Sequence, residues 1–374
     1  FNSFFADKFV GKIINTYIGR TTDDEIFRNA QSGGVATGIL TYLFDKGLID
    51  AAVVCRMEFG HIPKVVPFVA ENANQLLETQ RSCYTPVPLL TALKQVKDKK
   101  AVAVVGLPCH IQGIVSLQKT LCSASNIRYK IGLVCDRTEC ASIQDVIISY
   151  TNFSETKISW RRKYLGDENK YNYKTAPIEV INNEGKTCIL PRNFRIHLKE
   201  MFTPPRCRVC YDKLNVFSDI TLGDPWRLEG VDEVKGESLV FTRNDIGQSL
   251  LDSMIQEGYL VLRNLNDNTA PLRSQIMDER RRSVSAASVV FNEIIPQSVD
   301  SFLCRPYDGT DAKKPLIEIQ RKAITNFIAL EKQEKSTIIS VARKELQTWP
   351  RRQRIGKCKR IVNNLIRKIG NRKL

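Results

Sequence analysis

The sequence predicts an α/β fold: a central, largely parallel sheet with flanking helices, an antiparallel insertion and a helical, basic C-terminal extension. Three observations predict it. Apolar runs at 49–55 (IDAAVVC), 101–106 (AVAVVG) and 128–135 (RYKIGLVC) have the composition of strands buried on both faces. Helical patterns alternate with these runs, as parallel strands require. Residues 152–190 then turn polar and hold short strand-like pieces.

Taken in order, IINTYIG reads as a first strand. SGGVATGILTYLFDKG reads as a helix capped by Ser32, with Val35, Ile39, Leu40, Leu43 and Phe44 on one face. Gly47 stands where a helix C-terminus favours glycine. HIPKVVPFVA is a strand, ENANQLLETQ a short helix, and PLLTALKQVKDK an amphipathic helix. Pro108 opens the helix PCHIQGIVSLQKT, because proline suits a first turn. ASIQDVIISYT is the next helix. KISWRRKY, YKTAPIEVIN and KTCILP form the antiparallel insertion. RNFRIHLKEMFTPP leads into RCRVCYD; SDITLGDPW and the strand ESLVFTR follow. GQSLLDSMIQEG is a helix ended by Gly258, and YLVLRNL a last strand. The implied division is 1–98 (an N-terminal α/β region), 99–267 (the region with the Cys-x-x-Cys pair) and 268–374 (helical extension with basic tail).

Of 374 residues, 43% are hydrophobic and 26% charged, values of an ordinary globular chain. No apolar run approaches the length of a spanning helix, and FNSFFADKFVGK lacks the pattern of a signal peptide. The eleven cysteines are odd in number and dispersed, unlike a secreted disulfide framework. A reducing, cytoplasmic setting is therefore expected. The net charge of +16 gathers at the end: Val341 to Leu374 holds twelve Lys or Arg and one acid, Glu345. There Ile355, Cys358, Ile361, Val362, Leu365, Ile366 and Ile369 make an apolar helical stripe among basic residues. Such a tail suits an anionic membrane surface, an acidic partner, or packing by its stripe. No recognition module points to nucleic acid.

Cys207 and Cys210 form a Cys-x-x-Cys pair, and Cys109 and Cys135 each follow an apolar strand. If those strands are adjacent and parallel, both sulfurs emerge at the carboxyl edge of the sheet, where α/β folds bind ligands. Four thiolates then serve one site. From spacing alone an iron–sulfur cluster, a zinc ion and unligated thiols all stay open. Cys140 competes with Cys135. His110, beside Cys109, is either a ligand or donor there or simply a polar residue early in a helix. Ser32, Gly33 and Gly34 open a helix whose first N–H groups are unpaired, which suits a phosphate or else a plain cap. This is neither a dinucleotide fingerprint nor a Walker loop.

Together RNAQSGGVATGILTYLFDKGLIDAAVV, VVGLPCHIQGI, KIGLVCD, CRVCYDKLNVFSDITLGDPW and GESLVFTR resemble the coenzyme F420 hydrogenase/dehydrogenase beta-subunit family. The resemblance implies an oxidoreductase carrying FAD and a 4Fe–4S cluster. It would move electrons through the flavin between the cluster and a hydride-type substrate or coenzyme. It implies Cys109, Cys135, Cys207 and Cys210 as cluster ligands, and Ser32, Gly33, Gly34, Thr37, Ser82 and Tyr84 on the flavin side. Cys83 stands where the family commonly has lysine. Gly223-Asp224-Pro225-Trp226 matches a family signature that suits a structural corner or catalysis. His110 and His197 are candidates for proton delivery. A ferredoxin or another redox subunit is the implied partner. The Phe start fits removal of an N-terminal ferredoxin-like segment. The rival reading is a non-enzymatic, zinc-stabilised α/β module that binds a partner or membrane through its tail.

Overall fold

A computed structural model describes residues 9–120, 124–164, 171–294 and 312–348. Eleven named strands form two sheets in these residues. The larger is built from β1 (Thr16–Thr21), β2 (Ala51–Glu58), β3 (Lys64–Ala70), β4 (Val102–Gly106), β5 (Ile127–Leu133), β9 (Ile220–Gly223), β10 (Ser238–Thr242) and β11 (Leu260–Asn264). Its order is β11-β1-β10-β9-β5-β4-β2-β3. The central four, β9-β5-β4-β2, are parallel, and antiparallel strands flank them on both sides. β1 lies between β10 and β11, so strands from before and after residue 98 interleave in one sheet.

Strand alternation sends Ala52 and Val54 to one face and Ala51 and Val53 to the other. Helix α2 (Val35–Asp45) and helix α7 (Asp245–Gln256) cover the first face with Ile39, Leu43, Leu251 and Met254. Helix α3 (Pro108–Thr120) covers the second with Ile111 and Ile114. Each such buried side chain contributes about 1.5–3 kcal/mol. The segment 88–99 departs from the expected α-helix. Leu89–Gln95 is a 3-10 helix, and so is Ala73–Thr79. Pro86 and Pro88 restrict its entry, and burial of Leu89 and Ala92 needs only a spacing of three.

The insertion follows α4 (Ser142–Ile148). Its strands β6 (Thr156–Ser159), β7 (Ile178–Asn182) and β8 (Thr187–Leu190) pair antiparallel, as expected. Trp160, Ile178 and Val180 share a core there with Leu198 and Phe202 of α5 (Asn193–Phe202). A backbone bridge between Gly60 and Thr156 ties the insertion to the β2–β3 hairpin. After residue 268 the chain is helical: α8 (Ala270–Ser274), α9 (Met277–Ile294), α10 (Lys314–Leu330) and a helical run over 335–348. The predicted amphipathic helix of the basic tail lies outside the described residues. Among the described residues no helix is long and apolar enough to cross a membrane.

Candidate functional site

β4 and β5 are adjacent and parallel, so their carboxyl ends open on one edge of the sheet. Cys109 stands in the first turn of α3, one residue past the Pro108 that starts it, and is exposed. Cys135 follows β5 by two residues, and its N–H donates to the Lys213 carbonyl at 2.9 Å. Cys207 lies in the one-turn helix α6 (Pro205–Arg208), and Cys210 two residues beyond its end.

The fold brings these four thiols together. Burial first, then the charges of Cys210, Cys207 and Cys109, push the Cys135 thiol well above its usual range. Although Cys109 reaches solvent, the protein around its sulfur first, then Cys210 and Cys207, push the thiol up to about 11. Cys140 belongs elsewhere. Its thiol is pushed up to about 12 by burial and by the neighbouring Glu331; of these cysteines it senses only Cys207.

Positive charge surrounds this cluster of thiols. Burial opposes ionisation of the Asp136 carboxyl, but Arg137, Lys213, Lys199 and Arg280 hold it well below the usual carboxylate range. Of these cations Arg280 favours the ionised Cys210 sulfur, against burial that raises it. Arg280 of α9 also donates to the carbonyls of Cys207 at 3.1 Å and Cys210 at 2.6 Å. The charged run around it gave no sign of this in sequence.

Cys135 also lines a cavity of about 530 Å³ that extends from the sheet edge under the insertion. Ser32, Gly34, Thr37, Ser82 and Tyr84 line the same cavity. Gly33 does not. A Cβ there would lie 2.4 Å from the Gly19 carbonyl oxygen and 2.8 Å from the Ser238 nitrogen, so glycine lets the turn close onto β1 and β10. Ser32 is not the helix cap. α2 begins at Val35 behind Gly34, whose φ of +75° favours glycine, and the Ser32 hydroxyl meets that of Ser238 at 3.2 Å. Buried Lys163 donates to the Ser32 carbonyl at 2.5 Å, fixing the turn from behind. Burial first, then Arg20 and Arg161, bring its ammonium down to about 7. His110 lines the cavity, but its ring is engaged by the Leu107 N–H at 3.3 Å and the Val87 backbone. His197 is not among the lining residues.

The insertion supplies the facing wall: Trp160, Arg161, Arg192, Arg195 and Lys199. Sequence reading passed over these residues because nothing local marks them as cavity-facing. Arg195 lies over the Tyr84 ring at 3.2 Å and donates to Glu139 at 2.7 Å. Glu139 is fully buried, and burial, only partly offset by Arg195, pushes its carboxyl from 4.5 up to about 7. A raised folded-state value means that this contribution to stability is complete below about 4.5 and is lost as pH rises through about 7. Glu139→Gln, which cannot ionise, should remove up to ~3 kcal/mol of pH dependence across that window. Urea unfolding of both proteins from pH 4.5 to 8 checks this. Parallel stability profiles would refute it.

A family model for the C terminus of the coenzyme F420 hydrogenase/dehydrogenase beta subunit matches residues 99–268. The model for the N terminus of that family matches residues 16–94. The chain is 25% identical to the coenzyme F420 hydrogenase subunit beta of Methanosarcina barkeri over 67% of its own length and 82% of that protein. It is 29% identical to the coenzyme F420-dependent sulfite reductase of Methanocaldococcus jannaschii, spanning 61% of itself but 35% of that enzyme. A chain in the structure of the F420-reducing NiFe hydrogenase complex from Methanosarcina barkeri superposes with a TM-score of 0.61 at 21% identity. That likeness covers 79% of this chain and 98% of the other, and shows a common fold.

Proposed function

Because the chain belongs to the coenzyme F420 hydrogenase/dehydrogenase beta-subunit family, whose named relatives are oxidoreductases, we propose that it is an iron–sulfur flavoprotein. It passes electrons between a 4Fe–4S cluster and a hydride-type coenzyme of the F420 kind, through FAD. One observation carries this reading: four thiols from three separate segments meet at the sheet edge, and one of them, Cys135, also lines the cavity.

The residues fit these groups. Four thiols that sense one another supply the ligand type and number of a 4Fe–4S cluster. The raised Cys109 and Cys135 thiols release protons on binding it, and Arg280 favours the Cys210 thiolate.

On the other side, Ser32, Gly34, Thr37, Ser82 and Tyr84 would hold the flavin, with Gly33 closing the turn behind them. The first N–H groups of α2 would donate to its phosphates. When bound, FAD supplies the exchange between one-electron and hydride steps. The chain's own part is to keep Cys135 between cluster and cavity and to exclude water with the Trp160 wall. Exposed Cys109 marks the side on which a redox partner, such as a ferredoxin or a further subunit, delivers or collects electrons.

Anaerobically purified protein should be brown and carry flavin with about four irons per chain. Reduced coenzyme F420 and reduced ferredoxin should then be offered separately as donors, with bleaching of the bound flavin followed. Rapid bleaching by one of them is expected. Slow bleaching by both, or a colourless zinc protein, would overturn the reading.

A further inference from the structure

Two more cysteines line the cavity, apart from the four at the sheet edge. Cys55 is in β2, and Cys83 lies between Ser82 and Tyr84 in the loop that carries two of the flavin-side candidates. Both are half-buried free thiols on the wall of one cavity, and each shifts the ionisation of the other. Arg81 and Tyr84 of that loop have φ of 79° and 59°, left-handed values that cost a non-glycine residue about 1–2 kcal/mol each. Arg81 is anchored there by its bonds to the Asn29 carbonyl at 2.9 Å and the Ser159 hydroxyl at 2.9 Å. Constrained backbone of this sort persists where the surroundings over-determine it, and it is common at functional sites.

We propose that Cys55 and Cys83 are a redox-active dithiol that closes to a disulfide by exchange with a low-molecular-weight disulfide entering the cavity. The Cys55 thiolate attacks one sulfur of the small disulfide and displaces the first small thiol. The Cys83 sulfur then attacks Cys55 in the mixed disulfide and displaces the second. Two protein thiols are oxidised, one small disulfide is reduced to two thiols, and the two protein protons end on them. The thiols are unequal in the sense this order needs. The neighbouring Cys83 lowers the Cys55 thiol, while Cys55 and burial raise Cys83 well above its usual range.

The new bond would join β2 to the loop of Ser82 and Tyr84, fixing that wall of the cavity. It would act on the cavity whatever occupies it, and so stands apart from the cluster and flavin reading.

The full chain, purified anaerobically, is equilibrated with graded mixtures of reduced and oxidised glutathione, quenched in acid, alkylated and digested. Peptides of Cys55 and Cys83 should lose alkylation together and in equal fraction. A cross-linked peptide lighter by two hydrogens should appear, and excess reduced glutathione should reverse both changes. Cys83→Ser should leave Cys55 carrying glutathione instead, because the resolving thiol is gone. The proposal is overturned if the two thiols oxidise at different ratios, if either pairs with another cysteine, or if both stay fully alkylated in excess oxidised glutathione. The wild-type measurement decides alone should the variant fail to fold.

Discussion

Cys135→Ser is expected to strip the chain of nearly all its iron, from about four atoms to close to none, and of its brown colour. Serine offers a hard, poorly acidic oxygen where the cluster needs a soft thiolate. The position tolerates no local substitute. Cys140, the nearest alternative in sequence, has its thiol beside Glu331 and its N–H donating to the Phe202 carbonyl at 2.8 Å. Cys140→Ser should therefore keep iron and colour. Cys135 also lines the cavity, so its loss should slow flavin reduction by a one-electron donor far more than reduction by a hydride donor. Iron analysis and the visible spectrum of both variants, prepared anaerobically, settle the ligand. Full iron in the Cys135 variant with loss in the Cys140 variant would reverse the assignment.

The reason Cys135 was legible in sequence is physical. A parallel strand buried on both faces is a continuous apolar run, and the residues just past it must lie at the carboxyl edge. The apolar run 101–106 and the apolar end of the next strand therefore put Cys109 and Cys135 at that edge. Neighbours in space but not in sequence left no such trace. β1 lies between β10 and β11, through pairings such as Tyr17 with Val240 and Asn264, which no local pattern encodes. Arg280 reads as one more charge in a helical extension, yet it binds the carbonyls of Cys207 and Cys210. Glu139, which no local pattern marks, is fully buried under Arg195. The expected helix at 88–99 failed differently. Its apolar spacing was compatible with both helix types, and the two prolines before it decided the tighter one.

Asp224→Ala should cost ~3–5 kcal/mol of stability, the range for a buried ion pair that loses one member. Asp224 follows β9 in the Gly-Asp-Pro-Trp signature. Its carboxylate accepts from Arg161 at 2.6 Å and from the Tyr173 hydroxyl at 3.0 Å. The Arg161 guanidinium lies 5.3 Å from the Tyr173 ring centroid and 5.1 Å from that of Trp226, and the two rings are themselves stacked. Alanine would leave Arg161 charged, buried and without its carboxylate. Arg192, also over the Trp226 ring, adds a like charge and brings no relief. The backbone at Asp224 also accepts from Ser274 at 3.2 Å and Gln275 at 2.8 Å. One residue thus joins the sheet edge, the insertion and the C-terminal helices around the cavity. Asp224→Asn keeps an acceptor for Tyr173 and should fall between wild type and alanine. Chemical unfolding of both variants checks the order. A loss within about 1 kcal/mol for alanine would remove the corner from the fold's essential contacts. If the asparagine variant were fully stable but did not reduce its flavin, the aspartate would belong to the chemistry instead.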